Sequence, residues 1–401
     1  MLILHFLGAT FKRYGAVTMS MFRRGKITPN FDLIVDCVDK LLNLWRAQPK
    51  DHVHTDITIQ SENLLLQIFG HIAFDFDLDA LNSSHGRNEL NQALTDYLSS
   101  INIVFYAPSF IARTYLALNS RYQRARKTMD QYIRRMIEQE LNETEESRAK
   151  RKRTSLIASL VSSLQQQEEE SDENRKGMTI ERKYFDEILG NIIGLSRAEI
   201  LDNMITFLIA GFETTSSALS WFIYAMSKNP RVQQKIKAEL KEKLGQNELS
   251  LEQLDSLVYL DCVLNEIFRV YPPAAGVSRV LLEDDQLPAT GIKLRKGDDI
   301  LIPLSALARD SRLWKVDPEM FYPERFLNED KDHAAIALIP FGGGHRQCLG
   351  RDLAQFEFKV MAARLMQRVT FSDGGPKLNS GGYENGLTVK PKVVGVTIAF
   401  D

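Results

Sequence analysis

Apolar residues recur every three to four positions along much of the chain, and this spacing is typical of amphipathic helices. The pattern predicts helices at residues 30–47, 56–71, 86–100 and 118–142. Two apolar stretches bounded by turn-forming residues, at 277–283 and 297–304, predict short strands instead. The sequence therefore predicts a mainly α-helical fold with a small β portion in the C-terminal half.

The longest predicted helix begins at a capping box formed by Ser196 and Glu199 and ends at Asn229-Pro230. A helix of this length spans roughly 50 Å at about 1.5 Å per residue. Its apolar residues cover most of its circumference, so we expect it to be a buried central helix. Further helices are predicted from about residue 250, over 256–271 and over 349–369.

Residues 143–176 break the helical pattern with dense charges of both signs around a short apolar patch at 156–164. Such a composition predicts a mobile, solvated connector. The basic run at residues 148–153 is compatible with a nuclear address or an anion-binding patch, but acidic residues are equally dense beside it. We therefore interpret the run as part of a charged loop.

The composition is that of an ordinary globular protein, long enough at 401 residues to bury a cofactor. Its 50 basic and 52 acidic residues give a net charge of −2, which argues against nucleic acid as the main partner. The three cysteines, Cys37, Cys262 and Cys348, are too few and too scattered for a disulfide framework, which favours a reducing intracellular setting. The apolar residues 1–9 are too short for a membrane-spanning helix and lack a signal-peptide cleavage site.

The segment AGFETT at residues 210–215 places unusual residues in the middle of the long helix. Gly211 and Thr215 are poor helix formers, and Glu213 is a charge between apolar flanks. Taken alone, Gly211 or Thr215 is best explained by a kink, with threonine hydroxyls bonded to carbonyls one turn earlier. The cluster of a small residue, a carboxylate and the Thr214 hydroxyl is what a proton-delivery groove beside a buried reactive centre requires.

One acidic and one basic residue are spaced so that they face each other on a predicted helix. Glu266 and Arg269 lie three residues apart, on one face of the helix predicted over 256–271. Such a pair on its own is usually a surface ion pair that contributes about 0.2–0.5 kcal/mol. The loop DPEMFYPERF at 317–326 supplies Arg325 and Glu324, which are available to meet the earlier pair.

The stretch FGGGHRQCLG at residues 341–350 holds Cys348 in a glycine-rich loop just before a predicted helix. A thiolate there is stabilised by the helix dipole and by backbone amides that point at sulfur. A lone cysteine is by default a buried structural residue. A phosphatase-like nucleophile is excluded, because Ala354 stands where the required arginine would be. An axial thiolate ligand to haem iron fits best, because glycines let a flat group approach the backbone and Arg346 can pair with a propionate.

Taken together, these motifs resemble those of the cytochrome P450 family. FGGGHRQCLG is similar at each specified position to the haem-binding loop of that family, and AGFETT, the Glu266 and Arg269 pair and PERF at 323–326 occur in the family's order. The resemblance covers roughly residues 20–395 and is closest in style to the microsomal, eukaryotic kind. It implies the P450 fold, as a single domain over residues 1–401 that is incomplete at its N-terminus.

The resemblance implies haem b, iron protoporphyrin IX, as the cofactor. Cys348 would be the proximal iron ligand, and Phe341 would stack beneath the ring near the sulfur. Arg346 and Arg279 would pair with the propionates, and Gly211 would leave room for oxygen. Family position also predicts the residues that line the substrate pocket: Phe207, Ala210, Ala275, Gly276, Val277 and Leu387.

Catalytic and structural roles follow from the same resemblance. Glu213 and Thr214 would be the acid and the alcohol of a groove that delivers protons to oxygen. A buried triad that anchors the loop beneath the haem would be formed by Glu266, Arg269 and Arg325.

The function implied is a haem-thiolate monooxygenase that inserts one oxygen atom of O2 into a small apolar organic substrate. Its electrons would come from an NADPH-dependent flavoprotein reductase, and the resemblance suggests the endoplasmic reticulum membrane as its location. Two alternatives are a catalytically inactive P450-fold fragment or pseudoenzyme, and an electron-independent isomerase or dehydratase. The Glu213 and Thr214 pair argues against the isomerase or dehydratase, because that chemistry has no use for a proton relay. We expect one side of haem recognition to be altered, because Phe11 and Gly15 stand where the family has a Trp-x-x-x-Arg pair.

Overall fold

The computed structural model describes residues 22, 24–82, 86–105, 107–144, 155–162, 197–245 and 247–401. The helices are α1 Arg24–Ile27, α2 Phe31–Arg46, α3 Ile57–Phe74, α4 Glu89–Ile101, α5 Ser109–Leu118, α6 Ser120–Asn142, α7 at 156–162, α8 Arg197–Lys228, α9 Pro230–Leu244, α10 Leu251–Leu254, α11 Val258–Val270, α12 Leu304–Leu307 and α13 Arg351–Arg368. The strands are β1 Val53–His54, β2 Val277–Val280, β3 Asp285–Gln286, β4 Lys293–Leu294, β5 Asp299–Ile302, β6 Val369–Asp373, β7 Gly381–Asn385, β8 Val389–Val393 and β9 Val396–Phe400. Short 3-10 turns lie at Thr28–Asn30, Asn102–Phe105, Pro323–Phe326, Ala335–Ala337 and Gly344–Arg346.

The chain divides into two compact units. The first unit comprises Met1–Pro49, Ile59–Ser216 and Asp352–Met361, and the second comprises Lys50–Thr58, Ser217–Arg351 and Ala362–Asp401. The described part of the first unit is built from helices, whereas the described strands all belong to the second.

Helix α2 of the first unit buries one apolar face, whereas residues 61–70 of α3 are buried all around the helix. In α2 the buried residues include Val38, Leu41 and Trp45, whose spacing of three and four places them on one side of the helix. Tyr97 of α4 stacks on Tyr122 of α6, with ring centroids 5.4 Å apart. The helical periodicity seen in the sequence therefore marks the faces that pack into the core.

The helix predicted at 118–142 begins only at Ser120, because Asn119 interrupts it. Asn119 has an extended backbone, and its side chain accepts hydrogen bonds from the backbone N–H groups of Arg121 at 3.0 Å and Tyr122 at 3.1 Å. An asparagine in this position is a good N-cap. It separates α6 from the preceding α5, a helix that the sequence pattern did not predict.

The strands of the second unit form four small antiparallel groups. β2 pairs with β5, so that Val277 lies opposite Ile302 and Val280 lies opposite Asp299. β9 pairs with both β1 and β6, while β3 pairs with β4 and β7 pairs with β8. The predicted mainly α fold with a small β portion is confirmed, although the C-terminal strands β6 to β9 were not among the predicted elements.

Asn229-Pro230 both ends one helix and begins another. α8 ends at Lys228 as predicted, and Pro230 is the first residue of α9, where the missing proline N–H has no helical partner to lose. From α9, Glu239 accepts hydrogen bonds from the backbone N–H groups of Tyr259 at 2.6 Å and Leu260 at 3.0 Å. α9 was not predicted, and it fixes the start of α11, which carries the predicted ion pair.

Part of the predicted connector has regular structure. Residues 156–162 are helical and bury apolar side chains of the patch. The rest of residues 143–176, apart from 143–144 and Ser155, lies outside the described residues, as do Ser196, Phe11 and Gly15. In the described ranges, no helix is both long enough and apolar enough to cross a membrane.

Candidate functional site

The loop before α13 closes on itself through its own backbone. The N–H of Cys348 donates to the carbonyl oxygen of Phe341 with an N to O distance of 2.9 Å, and the N–H of Gln347 donates to Gly344 at 3.1 Å. Gly342 and Gly344 have φ angles of 68° and 66°, in the left-handed region that favours glycine. The glycines therefore allow the turn that presents Cys348.

The thiol of Cys348 differs from the other two thiols of the chain. Cys348 is exposed, whereas Cys37 and Cys262 are buried in helices. Burial raises the pKa of both Cys37 and Cys262 from 9.0 to about 11, which keeps these thiols protonated. The pKa of Cys348 is raised by desolvation, but a hydrogen bond from the backbone N–H of Gly350 and the charge of Arg351 act in the opposite direction. Cys348 is therefore the thiol placed to act as a ligand.

An aromatic contact ties this loop to α11. The ring of Phe341 meets the ring of Phe268 edge to face, with centroids 5.2 Å apart. Phe268 is buried in α11, whereas Phe341 is only partly buried. The partly buried Arg346 lies two residues before the thiol, and Arg279 lies in β2 with its Nη1 bonded to the carbonyl of Ser278 at 2.7 Å.

Glu266, Arg269 and Arg325 are in direct contact, and none of their side chains is exposed to solvent. Arg269 donates through Nε to Oε2 of Glu266 at 2.7 Å and through Nη2 to Oε1 at 2.8 Å. Arg325 donates through Nε to Oε1 of the same carboxylate at 3.2 Å. The backbone N–H of Tyr322 is a further donor to that oxygen, at 2.7 Å. One buried carboxylate thus joins a helix to the 3-10 turn at Pro323–Phe326. Glu324 of that turn pairs instead with Lys235 and accepts a hydrogen bond from the Tyr259 hydroxyl at 3.2 Å.

The two guanidinium groups also bind backbone carbonyls of the surrounding loops. Arg269 donates to Ala308 and Pro318, and both Arg269 and Arg325 donate to the carbonyl of Met320. Guanidinium groups offer five donors in a fixed plane, so they can satisfy several carbonyls at once. The ion pairs therefore also fix the course of the irregular chain around residues 308–320.

In the first unit, α8 presents part of the AGFETT segment on an accessible face. Ala210 is exposed and Thr214 is partly exposed, whereas Glu213 is buried. The Thr214 hydroxyl donates to the carbonyl oxygen of Ala210 at 2.9 Å. Ser216 donates to the backbone carbonyl of Glu213 at 3.2 Å. The Thr214 hydroxyl proton is thus bonded to a carbonyl oxygen one helical turn earlier. The hydroxyl oxygen can still accept a hydrogen bond.

Gly211 is needed for packing against α3. A Cβ atom at this position would lie 2.3 to 2.6 Å from three ring carbons of Phe69, which is far inside van der Waals contact. The resemblance assigned Gly211 to making room for oxygen. The structure shows a packing role instead of testing that one, because the missing side chain of Gly211 makes room for the Phe69 ring.

The predicted site residues fall into two groups, one in each unit. The second unit contains the residues predicted to bind the cofactor or anchor its loop: Cys348, Phe341, Arg346, Arg279, Glu266, Arg269 and Arg325. The first unit contains Gly211, Glu213 and Thr214. The sequence did not single out Phe268 or Phe69. Both are apolar residues in buried helices, and the sequence pattern does not show that Phe268 contacts the Phe341 ring or that Phe69 packs against Gly211.

The family model for cytochrome P450 matches residues 10–397. The chain belongs to the cytochrome P450 family. This result confirms the family that the sequence motifs predicted. Cytochrome P450 membership also accounts for the order of the motifs along the chain.

Individual P450 relatives align with part or most of the chain. It is 36% identical over 179 residues to cytochrome P450 6l1 of Blattella germanica, covering 44% of this chain and 35% of that protein. It is 36% identical over 200 residues to putative cytochrome P450 132 of Mycobacterium tuberculosis, covering 49% and 41%. Against cytochrome P450 3A12 of Canis lupus familiaris the identity is 27% over 365 residues, covering 90% and 67%. The chain thus spans between about a third and two thirds of the length of these relatives.

The P450 family implies a haem, and the residues of the cysteine loop fit one. Ideal Cβ atoms at Gly342, Gly343 and Gly344 meet no other atom within 4 Å, so this side of the loop is open to a flat group. The thiol of Cys348 is exposed and has an N–H donor directed at its sulfur. A thiolate sulfur that accepts a hydrogen bond from a nearby N–H group is a suitable ligand for haem iron.

Proposed function

We propose that the protein is a haem-thiolate monooxygenase that inserts one oxygen atom of O2 into a small apolar organic substrate. The observation that carries this proposal is the exposed thiol of Cys348 in a loop that is open on its glycine side. Membership of the P450 family supports the same chemistry. The required electrons are proposed to come from an NADPH-dependent flavoprotein reductase.

The proposed cofactor is haem b, held by residues of the second unit. Cys348 would bind the iron through Sγ, and Arg346 and Arg279 would pair with the propionates. When bound, the haem supplies the activation of O2 that amino acid side chains cannot perform. The N–H of Gly350 favours the thiolate form of Cys348, and the Phe341 ring lies in the same closed loop. The chain's own contribution is therefore a cysteine sulfur in a closed loop that also carries an aromatic ring.

Thr214 and Glu213 are proposed to move protons to oxygen. Because the Thr214 hydroxyl proton is held by the Ala210 carbonyl, the hydroxyl oxygen keeps a fixed position on the accessible face of α8. The adjacent Glu213 side chain is an acid that can supply protons from the interior. A positioned proton donor of this kind contributes about 10²–10⁴-fold to a reaction rate.

The proposals for the substrate and the electron donor rest on residues of the first and of the second unit, each taken separately. Phe207, predicted to line the pocket, is buried and stacks with Phe22 at a centroid distance of 5.9 Å, so it offers an apolar surface. Arg346 and Arg351 flank the cysteine and would attract an acidic surface of a flavoprotein. The eukaryotic style of the motifs supports the endoplasmic reticulum membrane as the proposed location.

Oxygen-isotope labelling of turnover tests this function. The haem-loaded chain, the flavoprotein reductase and NADPH are incubated with apolar substrates under isotopically labelled O2. The proposal predicts product that contains one labelled oxygen atom and forms only with NADPH. Product that forms equally well without NADPH would support an isomerase or dehydratase instead, and haem-loaded protein that gives no product with any substrate would support a pseudoenzyme.

A further inference from the structure

We propose that Asp330 is the second acid of the buried ion-pair cluster and that it positions the Cys348 loop by neutralising Arg325. This inference rests on the proposed function, since it concerns the loop that would carry the iron ligand. It adds a residue to the three that the sequence motifs identify. In the proposed enzyme, Asp330 is a positioning residue and does not contact the reacting atoms.

The charge of the three-residue cluster is not balanced by itself. Arg269 and Arg325 are both 0% exposed, and Glu266 supplies one negative charge for two positive charges. Arginine stays protonated in proteins, and an uncompensated charge in the interior is strongly destabilising. Oδ2 of Asp330 lies 3.2 Å from Nη1 of Arg325, and Asp330 is only 2% exposed. With Asp330 as a carboxylate, the buried cluster contains two positive and two negative charges.

Asp330 is also held in place by donors other than arginine. Its Oδ1 accepts the backbone N–H of Lys315 at 2.7 Å, and its Oδ2 accepts the N–H of Val316 at 3.3 Å. The N–H of Asp330 itself donates to the carbonyl of Arg325 at 2.9 Å. Each carboxylate oxygen therefore has a donor, and the side chain joins the chain near residue 315 to the turn that carries Arg325.

Trp314 covers the two guanidinium groups. The central guanidinium carbons of Arg269 and Arg325 each lie 5.4 Å from the Trp314 ring, within the range of a cation–π contact. The indole is only 5% exposed and stacks on His333, with centroids 5.2 Å apart. A buried aromatic ring over both cations keeps water from them, which makes their pairing with carboxylates more important.

The cluster reaches the cysteine loop along two routes. Arg269 follows Phe268 directly in α11, and the Phe268 ring contacts Phe341 at the start of the loop. After Asp330 the chain is held by His333, whose backbone N–H donates to the Asp330 carbonyl at 3.1 Å, and it continues into the same loop. Loss of the Asp330 carboxylate is therefore expected to loosen the segment that leads to Cys348.

The test compares Asp330→Asn with Asp332→Asn in the full 401-residue chain. Both substitutions make the same chemical change in the same loop, but the Asp332 side chain is exposed. We expect Asp330→Asn to lower the equilibrium constant for folding by about 10- to 100-fold, because a hydrogen-bonded charge is lost. Asp330→Asn should also lower the share of bound haem that shows a thiolate-type Soret band. Asp332→Asn should leave both the folding equilibrium constant and this share unchanged. Asp330→Glu, which keeps the negative charge, should lower both by less than Asp330→Asn does.

A double variant in which the charges stay balanced distinguishes the neutralisation of Arg325 by Asp330 from the packing of the Asp330 side chain. Arg325→Gln combined with Asp330→Asn removes one positive and one negative charge, so its effect on folding should be clearly smaller than the sum of the two single effects. Additive effects, or equal behaviour of Asp330→Asn and Asp332→Asn, would overturn the assignment of Asp330. A parent protein that binds haem without a thiolate-type band would overturn the proposed function, and the unfolding measurements would still decide the charge balance.

Discussion

Phe341 and Cys348 are joined by a backbone hydrogen bond of 2.9 Å between the carbonyl oxygen of the first and the N–H of the second. The bond closes the loop and fixes the backbones of the two residues relative to each other. Since the Phe341 ring also packs on Phe268, the position of the sulfur is linked to α11 and to its buried ion pairs. Residues outside the loop are in this way linked to the position of Cys348.

Replacing Thr214 by alanine tests the proposed proton delivery. The variant should still bind haem and substrate, but more of the reducing equivalents should appear as peroxide because oxygen is activated without a positioned proton donor. Thr214→Ser, which keeps the hydroxyl, is the matched control. The measurement is product formed and peroxide released per NADPH consumed. An unchanged ratio in Thr214→Ala would leave Thr214 with only its hydrogen bond to Ala210.

Gly211→Ala should destabilise the first unit through a clash rather than through lost chemistry. The added Cβ would stand 2.3 to 2.6 Å from the Phe69 ring, and overpacking of this kind typically costs about 1–3 kcal/mol. Gly25→Ala is the control, because an ideal Cβ there meets no atom within 4 Å. Unfolding by urea measures both variants. Combining Gly211→Ala with Phe69→Leu should recover part of the loss, and no recovery would contradict a clash with this ring.

Glu357 should make the stability of the protein fall as pH rises. The side chain is 1% exposed in α13, its Oε1 has no hydrogen-bond partner among the described residues, and burial raises its pKa from 4.5 to about 8. The folded state therefore keeps a proton that the unfolded chain has already lost, so stability decreases between pH 4.5 and pH 8 and levels off above that range.

Glu357→Gln removes this titration while keeping nearly the same shape. The urea midpoint of the variant minus that of the parent should therefore increase across the same pH range. Glu252→Gln, at an exposed position, should give a difference that does not change with pH. A constant difference for Glu357→Gln as well would show that Glu357 is ionised to the same extent in both states.

Local sequence patterns predicted the features that depend on near neighbours. The spacing of Glu266 and Arg269 placed both on one helix face, and the glycines around Cys348 indicated an unusual loop. Apolar periodicity located most of the long helices to within a few residues. These features follow from backbone geometry over a few residues, which is the information that a single sequence carries.

Features that depend on distant or irregular contacts were missed. The pairing of Asp330 with Arg325 lies in a stretch without periodicity, so no pattern distinguishes this acid from the exposed Asp332. The fit of Phe69 over Gly211 joins two helices that are far apart in the sequence. Asn119 was overlooked because an asparagine in a stretch with helical apolar spacing can be an N-cap or an unfavourable residue inside one continuous helix. The sequence pattern does not distinguish these two cases.

The reduced, carbon monoxide-bound spectrum of cysteine variants tests whether Cys348 is the iron ligand. We predict a thiolate-type Soret band in the parent protein that is lost in Cys348→Ser, because Cys348 is the one exposed thiol among the three described cysteines. Cys37→Ala and Cys262→Ala, which change buried thiols, should keep the band. Retention of the thiolate-type band in Cys348→Ser would contradict the assignment of Cys348 as the iron ligand.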